Sequence, residues 1–266
     1  MELAGHPANQ REATLIIMIP DYLARATISA VREHRGIIYD IRTLYPNARI
    51  MPVLNGERDP EKASEMLDIG ESVGLQPIAS THDKRKLVGA LMTGYDYVAT
   101  NFGADEIVIR LDTAEHDIAY IGKLATVAKE YGAVVGDLDF TNGHLVDGTY
   151  DYWIHTRVFP ALYEGMTGGK LRLSCAHGFQ AYRVGVLREI LPQAKLLVER
   201  VEKNLAAPLT WGFDGVMAIV ATCGLGGVRI LPVPAQSDRN RDVEKIDAQL
   251  KQHAALLKAA AELHFI

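Results

Sequence analysis

The chain has 266 residues, of which 48% are hydrophobic and 23% charged, an ordinary globular balance that fits one large α/β domain or two small ones. A net charge of −5, with no long run of one sign, lacks the basic surplus by which nucleic-acid binders are known, so no nucleic-acid partner is expected. Two cysteines, Cys175 and Cys223, are too few for a disulfide framework and read as reduced thiols of a cytoplasmic protein. Met1 to Glu12 lacks the apolar core of a signal peptide, and no stretch approaches the ~20 apolar residues that cross a bilayer.

Apolar runs alternate with helical patterns through the first half. Leu15 to Ile19 is a continuous apolar run ended by Pro20, as suits a strand buried on both faces. Thr27 to Leu44 reads as helical, with Gly36 a point of weakness, and Arg49 to Leu54 as a second strand closed by Asn55-Gly56. Pro60 to Gly74 is helical, with Pro in the first turn and apolar positions at Ala63, Met66, Leu67 and Ile69. Leu75 to Ala79 is a short third strand, Leu87 to Thr100 a helix, and Glu106 to Leu111 a fourth strand ending at Asp112. Asp117 to Tyr131 is a helix, and Ala133 to Val135 starts another strand.

The second half is less regular. Thr141 to Trp153 reads as a long loop, rich in Gly, Asp, Asn and aromatics; loops of that length are usually functional or mobile. Leu171 to Leu173 is a short strand, and Tyr182 to Glu202 is mostly helical with a break near Pro192. Phe213 to Cys223 is an apolar helix, Val228 to Val233 a strand, and Asp242 to His264 a terminal helix. No linker or repeat divides the chain. Strand, helix, strand, helix in this order predicts an α/β fold with a parallel sheet and right-handed crossovers. Ligands of such sheets bind at the carboxyl ends of the strands. The segments to inspect are therefore those after each strand: Pro20-Asp21-Tyr22, Asn55 to Asp59, Ser80 to Lys84 and Asp112 to Asp117.

Asp112, Glu115 and Asp117 crowd three carboxylates after a buried strand, and such carboxylates repel unless a cation compensates them. Mg²⁺ or Mn²⁺ suits all-oxygen ligands and would grip a diphosphate. The same residues also suit the first turn of the helix that begins here, where acids are favoured. Spacing leaves both readings open.

Several strand ends carry a resemblance. Ile16 to Tyr22 resembles the opening strand and "Pro-x-Tyr" end of GT-A glycosyltransferases, especially the family 2 type and the glucosyl-3-phosphoglycerate synthases. Val53 to Asp59 is similar to their second strand end, usually "V-x-D-G-S-x-D". Gly89 to Gly94, followed by Asp105 to Asp112, resembles the helix and strand before their DxD motif. Gly178 to Arg183 resembles their "G-x-Q-A-x-R" segment near the acceptor, Gly212 to Val216 their "G-x-G-x-E" helix start, and Val233 to Arg241 the closing segment of the synthases. The resemblance runs from Ala13 to about Asp242 and departs at three places: Ala114 stands at the second Asp of DxD, Asn55 at the usual base-contacting Asp, and Asp238 at the metal-binding His of the synthases.

The resemblance implies one GT-A domain over residues 1–266, with a nucleotide-sugar-binding half at 1–135 and an acceptor-binding half at 136–266. It implies a metal-assisted glycosyltransferase working on a UDP- or GDP-linked sugar and a small-molecule or lipid-linked acceptor, the latter met from the membrane surface. Pro20, Asp21, Tyr22, Asn55 and Asp59 would form the nucleotide pocket, Tyr22 stacking on the base. One of Lys84, Arg85 and Lys86, with Lys86 the chosen candidate, would meet the diphosphate. Asp112 would contact ribose or metal, and Glu115, Asp117 and Asp238 are the other metal candidates. Asp214 is the candidate general base, against the alternative of a helix cap, and Asp139, with Asp137, competes for the role. Thr167, Gly168, Gly169 and Lys170 form the candidate anion-binding turn for the acceptor, with an ordinary turn as the alternative, and His177 is a further acceptor or metal contact. His144, Asp147, Asp151 and Trp153 suit a lid over the donor. A homodimer is compatible with the sequence but not required by it.

Three rivals are weighed. A sugar nucleotidyltransferase would need a glycine-rich phosphate loop after the first strand, where Pro20 to Ala24 has no glycine, and a dinucleotide enzyme would need G-x-G-x-x-G. A non-catalytic sugar-nucleotide-binding protein is favoured by Ala114.

Overall fold

The computed structural model describes residues 14–21, 37–55, 60–72, 74–80, 83–112, 116–139, 153–173, 178–225, 227–234 and 243–266. Seven strands form one sheet: β1 (Leu15–Asp21), β2 (Arg49–Asn55), β3 (Ile78–Ser80), β4 (Ile107–Arg110), β5 (Ala133–Asp139), β6 (Phe179–Arg183) and β7 (Arg229–Pro234), in the order β3-β2-β1-β4-β6-β5-β7. β6 runs antiparallel to both its neighbours, β4 and β5; every other pairing is parallel. The expected α/β architecture, with a mostly parallel sheet flanked by helices, is the one observed.

Both faces of the sheet are covered, which is why its central strands are apolar at successive positions. Ile16, Met18, Val53, Val108, Val135 and Tyr182 share one buried cluster, while Ile17, Ile19, Ile109, Val134, Phe179 and Ala181 share the other. The first face carries helices α2 (Leu87–Asn101), α5 (Val184–Leu205), α6 (Phe213–Gly224) and α7 (Val243–Glu262). The second carries helical residues 37–44 and helix α3 (Ile121–Tyr131). Helix α1 (Pro60–Ser72) precedes β3, and α4 (Phe159–Met166) continues from a π-helical turn, Ile154–Val158.

Several expectations need correction. β3 begins at Ile78, because the backbone at Gly74 and Leu75 is still bonded back to Glu71 and Gly70 at the end of the preceding helix. Tyr182 belongs to β6, so the helix begins at Val184, and Pro192 sits on its exposed side without ending it. Leu171 to Leu173 is not a strand; its first amide is taken by the Thr167 hydroxyl at 2.9 Å. Asp117 opens a 3-10 turn (Ile118–Tyr120) ahead of α3. Of the expected loop at Thr141 to Trp153, only Trp153 is among the described residues, and it is helical.

α2 lies close on the sheet because Gly94 has no side chain: a Cβ there would come within 2.4 Å of Met18 Sδ and 3.0 Å of Val53 Cγ2. That approach sets the depth of its neighbour Tyr95, which is fully buried. Gly94→Val is therefore expected to lower the free energy of unfolding by about 1–3 kcal/mol, as overpacking does. Urea denaturation checks this, and adding Met18→Ala to the same chain should recover part of the loss.

Candidate functional site

The carboxyl ends of β1, β2, β3, β4 and β5 share one edge of the sheet, and the reversed β6 starts there. In register, Asp21 lies beside Leu54, Asn55 beside Ser80, and Arg110 beside Gln180. The sequence therefore delivers Asp21, Asn55 and Asp112 to one edge, as expected from a parallel sheet.

Arg110, the last residue of β4, turns inward with the buried positions of its strand. Its guanidinium Nε lies 3.7 Å from Asp214 Oδ1, and its Nη2 lies 3.9 Å from Asp112 Oδ2. Side-chain exposure grades the trio: 4% for Arg110, 16% for Asp214 and 35% for Asp112. Asp112 thus faces solvent at the sheet edge, while the other two lie beneath it.

Asp214 stands in the first turn of α6, behind Gly212, whose φ of 87° requires a residue without a Cβ. The helix start is pinned from the sheet: Gln180 Nε2 donates to the Asp214 carbonyl at 2.8 Å, and Tyr182 Oη donates to Gln180 Oε1 at 2.6 Å. Tyr95 reaches the same place from α2, edge-on to Tyr182 with ring centroids 6.0 Å apart. Among the described residues, Asp214 Oδ1, Arg110 Nε and Tyr95 Oη are buried without a hydrogen-bond partner. Such groups are rare in folded interiors, and their clustering marks a site.

Burial, the largest cause, raises the Asp214 carboxyl above the usual carboxylate range; Arg110 opposes that rise and Asp112 adds to it. Burial also raises the phenols of Tyr95 and Tyr182. His116 closes the segment after β4. Its Nδ1 accepts from the Asp112 amide at 2.9 Å, its own amide donates to the Asp112 carbonyl at 3.0 Å, and its ring stacks on Phe179 at 4.5 Å. Desolvation first, then Arg110, lowers its pKa to about 3, so the ring is neutral near neutral pH, with its proton on Nε2.

The other candidates fall into three groups. Asp117 Oδ1 accepts from the Ala119 amide at 2.9 Å, so this carboxylate caps its turn, the alternative weighed for it. Arg85 is held in a two-pronged pair with Glu202 at 2.7 and 2.6 Å, while Lys84 and Lys86 are exposed. Thr167 is buried and bonded within its own turn, its hydroxyl donating to the Tyr163 carbonyl at 2.7 Å. Gly168 and Gly169 carry φ of 59° and 80°, and Lys170 is exposed. Lys170 acts electrostatically on Cys223, near the far end of α6 from Asp214, roughly 13 Å along the helix. The structure thus separates this turn from the charged cluster. Asp139 ends β5, beside Pro234 of β7 and two strands away from Arg110. Tyr22, Asp59, Glu115, His177 and Asp238 lie outside the described residues, as do His144, Asp147 and Asp151.

Tyr95 and His116 have no role in the sequence reading, Gln180 and Tyr182 enter it only within the G-x-Q-A-x-R segment, and Arg110 only within the strand before Asp112. The alternation of β4 and β6, with a polar residue at a core-facing position in each, is the signal that would have singled out Arg110 and Gln180.

Among the described residues no three His, Cys, Asp or Glu side chains gather as a metal cage. Asp112 is a hard oxygen donor, 35% exposed and paired with Arg110, while Asp117 caps its own turn and Asp214 lies deeper beside Arg110. No helix among the described residues is long and apolar enough to cross a membrane.

No protein-family model matches the chain, and no curated protein matches its sequence. Among solved structures, a mannosyltransferase from Pyrobaculum calidifontis, in complex with GDP-Man and Mn²⁺, aligns with a TM-score of 0.48 and 17% identity over 97% of this chain and 72% of that one. A 4-diphosphocytidyl-2C-methyl-D-erythritol synthase aligns at 0.45 and 12%, over 92% and 98%. A similar synthase from Anaerococcus prevotii aligns at 0.43 and 11%, over 91% and 96%. Function is therefore argued from the residues at the strand ends.

Two pH effects follow. The folded state holds the Asp214 proton more tightly than the unfolded chain, so stability present in acid is lost as pH rises from 3.8 through the raised folded value. Relative to wild type, Asp214→Asn should therefore gain stability as pH rises across that window, read by thermal unfolding at a series of pH values. His116 has the opposite sign. Its pKa falls from 6.5 to about 3 on folding, so stability present above 6.5 is lost as pH falls toward 3. His116→Gln should flatten that acid slope in the same experiment.

Proposed function

We propose that this chain is a GT-A type glycosyltransferase that moves a sugar from a nucleoside-diphosphate sugar to an acceptor hydroxyl. The observation that carries the proposal is the convergence of Asp112, Arg110 and Asp214 at the carboxyl edge of a parallel sheet, one carboxylate open to solvent and one held inside. The strand ends support it: Pro20, Asp21 and Asn55 end adjacent strands where a nucleotide would lie, and the sequence resemblance assigns Tyr22 and Asp59 to the same role. Lys86 is the candidate for the diphosphate.

Asp214 takes the proton of the acceptor hydroxyl as that oxygen bonds to the anomeric carbon and the bond from that carbon to the diphosphate oxygen breaks. A base with a raised pKa suits proton transfer near neutral pH. Asp112 receives the ribose, or holds Mg²⁺ or Mn²⁺ together with Glu115 and Asp238. Such an ion, when bound, offsets charge on the departing nucleoside diphosphate. The acceptor hydroxyl lies against Asp214.

A second reading has one observation in its favour: Ala114 replaces the second Asp of DxD, as in a protein that binds a sugar nucleotide without turning it over. Isothermal titration with UDP- and GDP-sugars, with and without Mn²⁺, alongside a donor-turnover assay, separates the two. Asp112→Ala is expected to abolish transfer with an unchanged circular dichroism spectrum. Undiminished turnover in that variant would remove the assignment, and tight binding with no turnover for any acceptor would favour the second reading.

A further inference from the structure

Gly178 lies directly against the Arg110 guanidinium. A Cβ built at Gly178 would stand 1.8 Å from Nη1, 2.6 Å from Cζ and 3.1 Å from Nη2. Every other residue type would therefore push the guanidinium out of its seat. Arg110 is also 96% buried by its 4% exposure, so its planar end has little room to move aside. The seat faces Asp214, with Arg110 Nε 3.7 Å from Oδ1 as an ion pair and neither atom in a hydrogen bond among the described residues.

We propose that Gly178 and Arg110 form a positioning pair for Asp214: the missing side chain of Gly178 seats the guanidinium, which fixes the carboxylate in place and supplies its counter-charge. This rests on reading Asp214 as the acceptor's base; neither partner needs to touch substrate.

The groups that act on Asp214 come from each element packed around it. Arg110 approaches from β4, Asp112 from the segment after it, Tyr95 from α2 and Tyr182 from β6, while Gln180 binds its backbone carbonyl. Among these Arg110 is the cation. Burial and Asp112 both favour the protonated acid, in which form Asp214 accepts nothing. Arg110 opposes them, so displacing it moves the carboxyl further toward the protonated acid.

The test reads the carboxylate directly. Protein carrying carboxyl-¹³C aspartate is titrated by NMR, and the Asp214 resonance is identified by its loss in Asp214→Asn. Arg110→Met is expected to move the Asp214 midpoint to higher pH, Arg110→Lys to restore part of the difference, and Gly178→Ala to move it in the same direction as Arg110→Met although every charge is retained. Gly178→Ala and Arg110→Lys decide the matter should Arg110→Met fail to fold. An Asp214 midpoint unmoved in the folded variants would overturn the proposal, since a merely structural Arg110 lowers stability without shifting that titration.

Donor turnover adds the second readout. kcat/KM at neutral pH should fall at least ~10-fold in Gly178→Ala, with its acid limb displaced to higher pH, as expected when an opposite charge is moved away from a carboxylate. If the midpoint moves but the wild-type protein turns over no donor, the pair stands and the transferase reading fails. If wild type turns over donor and the midpoint does not move, the transferase reading stands and the pair fails.

Discussion

Arg110 carries a full charge into the molecule from the end of β4, and removing a guanidinium from water costs several kcal/mol unless partners compensate. Two carboxylates supply that compensation from different parts of the chain. Asp112 is close in sequence and leads out to solvent; Asp214 comes from a helix about a hundred residues later and lies inside. Neither contact is shorter than 3.7 Å, so charge attraction rather than a tight hydrogen bond binds the trio. The edge of the sheet is thereby given a fixed positive centre with an outer and an inner acid.

The reversal of β6 makes this possible. A parallel strand in that place would begin at the opposite edge of the sheet. Running antiparallel between β4 and β5, β6 starts at the functional edge, so Gly178 comes beside Arg110 and Gln180 beside the start of α6. Gln180 is fully buried and uses both ends of its amide, accepting from Tyr182 and donating to the Asp214 backbone. A buried amide satisfied at both ends specifies orientation better than an apolar contact would.

The C-terminal helix secures the same element from the other side. Gln252 Oε1 accepts from the amides of Thr210 and Trp211 at 3.2 and 2.9 Å, and its Nε2 donates to Thr210 Oγ1 at 3.1 Å. His253 lies 3.6 Å from where a Cβ of Gly212 would stand. The turn that leads into Asp214 is thus clamped between α7 and the sheet. The base candidate is held from residues 180, 212 and 252, three regions distant in sequence.

Local order in the sequence determined a good part of this protein. The apolar runs at Leu15, Arg49 and Glu106 marked β1, β2 and β4 within a residue or two, because strands covered on both faces are apolar at nearly every position. The alternation of strands and helices gave the parallel sheet, and the parallel sheet gave the edge where Asp21, Asn55 and Asp112 gather. Tertiary structure alone decided the rest. β6 reads Phe-Gln-Ala-Tyr-Arg, whose polar residues hide a buried strand until the partners of Gln180 are in place. Leu171 to Leu173 has strand-like composition but pairs with no strand among the described residues. Asp117 and Thr167 looked available and are spent on their own turns, while the cation that matters is a lone arginine at a core-facing position. Composition and periodicity report what a residue does for its own segment; the value of a buried charge depends on which distant groups the fold brings within a few ångströms of it.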